Sequence, residues 1–255
     1  MNLVEIFSSV QGEGPYVGAS TLFVRFGACD LRCRWCDSPH TWKPAARCRI
    51  ETRRASGEFR ELPNPVALAD AVAAAEALEL SAHRFVSLTG GEPLLQPDAV
   101  SEVAQALRGR GPRIYLETHG VAVAALERVA SHVDVVSMDW KLASDVRRAD
   151  DPARGPARDF HAEHTAFLAR ARRSAEVFVK VVVTPASTDA ELDQMARAVA
   201  GIDPMVPLIV QPVTPRGGVK ERPGAARLLQ IAARLERVLA DVRLIPQTHP
   251  IYGAL

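Results

Sequence analysis

Short apolar, β-branched runs alternate with amphipathic stretches over most of the chain, a pattern that predicts strands separated by helices. Strands are expected over 2–8, 20–27, 84–88, 113–117, 133–138, 176–183, 206–210 and 242–246. Helices are expected over 66–79, 97–109, 121–131, around 160–173, from about 188, and over 223–240. Thr188 and Glu191 stand at capping-box spacing where the fifth of these begins. In the last, Leu228, Ile231, Ala232, Leu235 and Leu239 form an apolar stripe, which reads as core packing. Two segments, 43–63 and 144–160, show no periodicity and read as irregular loop or cap segments. No repeat, low-complexity tract or boundary interrupts the pattern, so residues 1–255 read as a single domain.

Strands alternating with helices imply a parallel sheet with right-handed crossovers. The six or so full strands fall short of a closed barrel of about eight units. The expected fold is therefore α/β: a partial, open β/α barrel, its parallel sheet of about six strands carrying short N- and C-terminal extensions. In such sheets ligands gather at the C-terminal strand ends. Polar residues concentrate at those ends here, in Thr89 to Glu92, Glu117-Thr118-His119, Asp139-Trp140-Lys141, Thr184, Gln211 to Thr214 and Gln247-Thr248-His249.

Composition narrows the class without changing it. A formal net charge of +1 argues against a large nucleic-acid footprint. No apolar run has the length of a membrane span, and Met1 to Phe7 lacks the basic start and apolar core of a signal peptide. A reducing cytoplasm is the expected location.

The candidate chemistry lies directly after the strand at 20–27, where Cys29, Cys33 and Cys36 stand at C-x3-C-x2-C spacing. Three soft thiolates delivered to one place suit an iron–sulfur cluster, whose usual complement is four ligands, so one iron would stay open. A structural zinc site wants four closed ligands, and the remaining cysteine, Cys48, sits in a basic run with no second pair near it. Sparse cysteines in an unsecreted chain argue against a disulfide framework. The spacing resembles the radical S-adenosylmethionine (SAM) superfamily, in which a [4Fe–4S] cluster binds SAM at its open iron. Thr89-Gly90-Gly91-Glu92-Pro93 adds a second match, since the superfamily's turn of this kind contacts the SAM amino group. Glycines let backbone approach a ligand, and a carboxylate can face an ammonium.

A narrower resemblance spans the chain. Phe7 to Gly14, Gly18, Phe23-Val24-Arg25, Cys36-Asp37-Ser38, Glu117 to Gly120, Gln211 to Thr214, Gln247-Thr248-His249 and Gly253 resemble the 7-carboxy-7-deazaguanine synthase family. The resemblance implies a lyase of queuosine-precursor biosynthesis that turns 6-carboxy-5,6,7,8-tetrahydropterin into 7-carboxy-7-deazaguanine and ammonia, by hydrogen abstraction and ring contraction. It implies cluster ligation by Cys29, Cys33 and Cys36, and a Mg²⁺ ion held through Ser38, which would otherwise be an ordinary loop residue. Substrate would meet Val10, Gln11, Gly12, Glu13, Arg25, Thr89, His249 and the terminal Leu255. SAM would meet Trp35, Asp37, Gly91, Glu92, Asp139, Trp140, Lys141, Gln211, Pro212, Val213 and Thr214. A reducing protein such as a flavodoxin and a homodimer are implied as partners. Asp139-Trp140-Lys141 stands where many family members have Ser-Pro-Lys, which favours Lys141 over its neighbours. Two other readings compete: an activase that installs a glycyl radical on a partner protein, which would not require Gln11 to Gly14 with Arg25, and a zinc-stabilised binding module.

Overall fold

A computed structural model describes residues 1–152, 155 and 157–253. Strand β1 (Leu3–Val10) pairs antiparallel with β2 (Ser20–Phe26), which runs into the short β3 (Leu31–Cys33). A hairpin of β4 (Arg47–Glu51) and β5 (Phe59–Pro63) and helix α1 (Leu68–Ala77) follow. Then come β6 (Phe85–Gly90), α2 (Pro97–Leu107), β7 (Arg113–Thr118), α3 (Val123–Val129), β8 (Val135–Asp139), β9 (Val146–Arg148) and α4 (His161–Ala171). The chain closes with β10 (Glu176–Val183), α5 (Asp189–Ile202), β11 (Leu208–Pro212), α6 (Ala225–Leu235), β12 (Val242–Leu244) and the short α7 (His249–Tyr252).

One ten-stranded sheet runs in the order β12-β11-β10-β8-β7-β6-β2-β1-β4-β5. From β2 to β12 every pairing is parallel, which gives the open β/α barrel expected from the alternation. Helices α1 to α6 cover the outer face. Their apolar stripes, such as Val100, Val103, Ala104 and Leu107 on α2 or Leu192, Met195, Ala196 and Val199 on α5, pack against outward strand residues such as Val179, Val181 and Val183. Burying such side chains contributes about 1.5–3 kcal/mol each, so this layer dominates stability. Thr188 and Glu191 form the expected reciprocal cap of α5.

Both segments expected to be irregular contain strands. In β4 the buried Cys48 and Ile50 alternate with exposed arginines, and β4 extends the sheet by pairing with β1. The charged partners hid the period of two: Arg47 pairs with Glu61 across the hairpin at 2.6 Å, and Arg49 stacks on Phe59. Pro63 and the charged residues of β5 blunt the outer edge. Within 144–160, β9 pairs antiparallel with β3, setting Val146 opposite Cys33. The second segment is thus a brace on the cysteine loop, with Val146 and Phe160 packed on Leu31.

Candidate active site

Along the inward face of the parallel strands, side chains change from aromatic to polar toward the C-terminal ends. Phe85, Tyr115, Val135, Phe178 and Ile209 fill one end of the interior. Above them Thr89, Glu117, Ser137, Asp139 and Lys180 surround a cavity of about 460 Å³. The glycine-rich segment after β1 crosses this interior. Gly14, at φ +68°, lies against Phe178, where a Cβ would come within 2.8 Å of the ring, and the Tyr16 ring packs tilted against Phe85. Gln11 and Glu13 thereby face the cavity. Gln11 Nε2 donates to Glu117 Oε1 at 2.9 Å, Ser87 Oγ to the same oxygen at 2.6 Å, and Thr89 Oγ1 to Glu117 Oε2 at 3.3 Å. A Cβ on Gly12 would stand 2.5 Å from His249 Nδ1, and Thr248 N donates to Gly12 O, so the tail closes over this loop. Val10, Gln11, Gly12, Glu13, Arg25, Thr89 and His249 therefore line one cavity, while Leu255 lies outside the described residues.

Arg25 has an anionic partner from the protein itself: its Nε donates to Glu5 Oε1 at 2.8 Å. Its terminal nitrogens have no hydrogen bond among the described residues, which leaves the guanidinium fork toward the cavity.

Cys29, Cys33 and Cys36 line the same cavity as free, half-buried thiols. Their loop is held from several sides. Ala28 takes φ +75°, and its carbonyl accepts from Glu92 N at 2.8 Å. A Cβ on Gly91 would lie 2.2 Å from Ala28 O, and one on Gly90 2.2 Å from Phe26 O. The double glycine thus admits the backbone of the cysteine loop, rather than only a ligand. Arg32 Nη1 donates to the carbonyls of Cys29 and Leu31, both at 2.8 Å, while its guanidinium stacks on Trp42.

Glu92 is held by the protein as well. Its buried carboxylate accepts from Leu94 N at 3.0 Å, Thr118 Oγ1 at 2.7 Å and His119 N at 2.9 Å, so three protein donors fix it at the cavity wall. His119 Nε2 meets Asp30 Oδ1 at 2.8 Å, tying β7 to the residue between two cysteine positions. The neighbouring His164, which burial pulls down to about 3, is neutral and its Nε2 meets His119 O at 2.9 Å.

Opposite the cysteines, Lys141 Nζ bonds Asp139 Oδ2 at 2.6 Å and sits over the Trp35 ring. Burial works against the Lys141 ammonium, but Asp139 outweighs it and holds the amine above its usual range. Trp35, Asp37, Gly91, Glu92, Asp139 and Lys141 all line the cavity. Trp140 does not: adjacent residues of a strand face opposite ways, and its ring packs on His161 and His164 behind the sheet. Pro212, Val213 and Thr214 also fall outside the cavity wall, where Val213 packs with Val182 and Val219 behind Trp35. Gln211 supports from behind, its Nε2 donating to Glu13 Oε1 at 3.1 Å. Sequence reasoning missed Lys180 and Arg216 as cavity residues and did not assign Glu117, His119 and Gln247, although these three stood among the polar strand ends.

The sequence profile described as the radical SAM superfamily matches residues 23–199. The 7-carboxy-7-deazaguanine synthase of Geobacter sulfurreducens is 39% identical over 99% of this chain and 97% of its own length. The chain belongs to the 7-carboxy-7-deazaguanine synthase family. The enzyme of that name from Methanopyrus kandleri is 38% identical over 98% of this chain and 93% of its own. In fold, the structure titled QueE from Escherichia coli superposes with a TM-score of 0.60 at 21% identity, covering 97% of this chain and 93% of that one.

Radical SAM enzymes carry a [4Fe–4S] cluster and SAM, and the residues present fit both. Burial pushes the Cys29 thiol up to about 12 and Cys33 up to about 11, a desolvation penalty on the thiolates that cationic iron would offset. Among the described residues no three His, Cys, Asp or Glu side chains gather as one ion requires, whereas cluster ligands are spread over separate irons. Trp35 Nε1, Asp139 Oδ1 and His119 Nδ1 are buried without partners among the described residues, leaving one acceptor and two ring nitrogens for a polar ligand such as SAM. No helix among the described residues is long and apolar enough to cross a membrane.

Proposed function

We propose that this chain converts 6-carboxy-5,6,7,8-tetrahydropterin to 7-carboxy-7-deazaguanine with loss of ammonia. The observation that carries this reading is the meeting, in one cavity, of three free cysteines with the Gln11–Glu13 loop, Arg25 and Glu117. The full-length identity to synthases supports it over a glycyl-radical activase, whose chemistry asks nothing of those residues. Cys29, Cys33 and Cys36 would hold the cluster, which would supply the one-electron chemistry that activates SAM for hydrogen abstraction.

The protein's own part is binding and orientation. Arg25, steadied through Nε by Glu5, offers its free fork to the substrate carboxylate. Glu117, held by Gln11, Ser87 and Thr89, presents a fixed carboxylate to N–H groups of the bicyclic ring. Lys141 suits the SAM carboxylate, and Trp35 supplies both a ring face and a free N–H beside it. Ser38, whose hydroxyl donates to Asp37 Oδ1 at 2.8 Å, offers oxygen to Mg²⁺ together with that carboxylate. His249 closes over Gly12. A cytoplasmic homodimer reduced by a protein such as a flavodoxin completes the reading; Ile251 and Tyr252, 74% and 61% exposed, lie on the tail beside the cavity as apolar surface for such contacts.

The test is anaerobic incubation of reconstituted protein with SAM, dithionite, the pterin and Mg²⁺, with the deazaguanine product assayed. Product should form, and omitting Mg²⁺ should slow it. Competent SAM cleavage without product would overturn the reading in favour of the activase. Arg25→Ala should weaken pterin binding by roughly 10–100-fold, the value of a charge-assisted fork, with SAM binding nearly unchanged. Calorimetric titration of each ligand checks it, and equal losses for both would make Arg25 a purely structural partner of Glu5.

A further inference from the structure

Strand β10 contains one charged side chain inside an otherwise apolar run, Val177-Phe178-Val179-Lys180-Val181-Val182-Val183. Lys180 points inward between Phe178 and Val182, pairs in register with Asp139 and is buried. Its ammonium bonds two carboxylates from distant parts of the chain: Glu13 Oε2 at 2.7 Å and Asp139 Oδ2 at 3.0 Å. Each carboxylate is itself tied onward. Glu13 Oε1 accepts from Gln247 Nε2 at 2.5 Å and Gln211 Nε2 at 3.1 Å, while Asp139 Oδ2 also holds Lys141 Nζ. Burial opposes charge on Lys180, but Asp139 and Glu13 outweigh it and hold the ammonium above its usual range.

We propose that Lys180 is a positioning residue that fixes Glu13 and Asp139 as one electrostatic unit and so couples the pterin half of the cavity to the SAM half. This rests on the functional reading above, which places Glu13 against the pterin and Lys141 with Asp139 against SAM. A buried ion cluster is a poor device for stability alone, since apolar residues of similar volume often serve as well. The other inward residues of β10, Phe178 and Val182, show that this strand supplies apolar contacts wherever only packing is required. Two lysines face two carboxylates here, so the unit is balanced without ligand. Any ligand group that engages Lys141 or the unpartnered Asp139 Oδ1 changes the field at Lys180, and with it the hold on Glu13. Without the ammonium, two carboxylates that share one nitrogen would repel, and Glu13 would swing toward its glutamine partners.

The test is calorimetric titration of anaerobic, cluster-reconstituted protein with the pterin alone, SAM alone, and the pterin in the presence of SAM. In the wild type, SAM should tighten pterin binding by roughly 5–150-fold, the usual span of site coupling. In Lys180→Met, which keeps the length and removes the charge, the ratio should fall to near one with the cluster absorbance intact. Lys180→Arg should recover part of it. A wild-type ratio of one, an undiminished ratio in Lys180→Met, or losses for both ligands that merely track a lowered melting temperature would overturn the proposal. Should Lys180→Met fail to fold, Glu13→Gln/Lys180→Met removes the orphaned charge. That pair should fold and show a ratio near one, and its failure to fold would make Lys180 a fold residue and also overturn the proposal. A wild type that binds SAM but no pterin would instead defeat the functional reading.

Discussion

Serine in place of Cys29, Cys33 or Cys36 should bring pterin conversion down to background, whereas Cys48→Ser should keep the wild-type rate. The first three thiols open onto the cavity, and Cys48 is fully buried on β4 outside its wall. In the functional reading each cavity thiol would hold its own iron, so losing one would remove a whole ligand and leave a site unable to retain a SAM-binding cluster. Serine keeps size and hydrogen bonding but is a hard, weakly acidic oxygen donor, poorly matched to iron–sulfur chemistry. The loop itself should survive, because β3, β9 and the Arg32 stack hold it without any thiol. Iron content, the visible absorbance of anaerobic protein and product formation give three separate readouts. A single-cysteine variant with sustained turnover would remove the basis of the functional reading, and a Cys48→Ser protein without iron would move the ligand set elsewhere.

The fold was legible wherever one residue type dominated a period. The runs that became β6, β7, β8 and β10 are apolar enough to declare themselves, and their alternation with helices implies an open parallel barrel. The β4–β5 hairpin was not legible, because Arg47, Arg49, Glu51 and Glu61 crowd one face and Arg60 interrupts the apolar row of Cys48, Ile50 and Leu62 on the other. The three-residue β3 and β9 are too short to carry any period, and each exists only because the other pairs with it.

At the site, the cysteines and the glycine turns could be read because local spacing encodes them. Tertiary register is encoded nowhere in that way. That Asp139 stands beside Lys180 is a property of how β8 meets β10, and that Glu13 joins them depends on a loop crossing the barrel from the far end of β1. Trp140 was misplaced for a simpler reason: reading Asp139-Trp140-Lys141 as one unit ignored the alternation of faces at a strand end. A double glycine suggests room for ligand, and in the structure it also makes room for Phe26 and Ala28.

Glu92→Gln should destabilise the protein by about 3 kcal/mol, because the buried carboxylate is ringed by donors alone. Leu94 N, Thr118 Oγ1 and His119 N all give to it, so an amide NH₂ must face at least one other donor. For a chain of this size the melting temperature should fall by roughly 10 °C. The loss should also depend on pH. Burial pulls the His119 imidazole down, but the charge of Glu92 and the bond to Asp30 outweigh it and raise it above the ordinary 6.5. A raised folded value means that protonated His119 adds stability below the ordinary range, and that this share fades as pH rises through the folded value. Removing the Glu92 charge removes much of that share, so the gap between wild type and variant should be wider near about pH 6 than near about pH 9. Melting curves of the two proteins across that range check both claims. A pH-independent gap would show that hydrogen bonds alone, without the His119 charge, account for the role of Glu92. Because His119 reaches Asp30 between the cysteine positions, the variant should also lose iron faster during dilution, which ties the stability of β7 to the retention of the cluster.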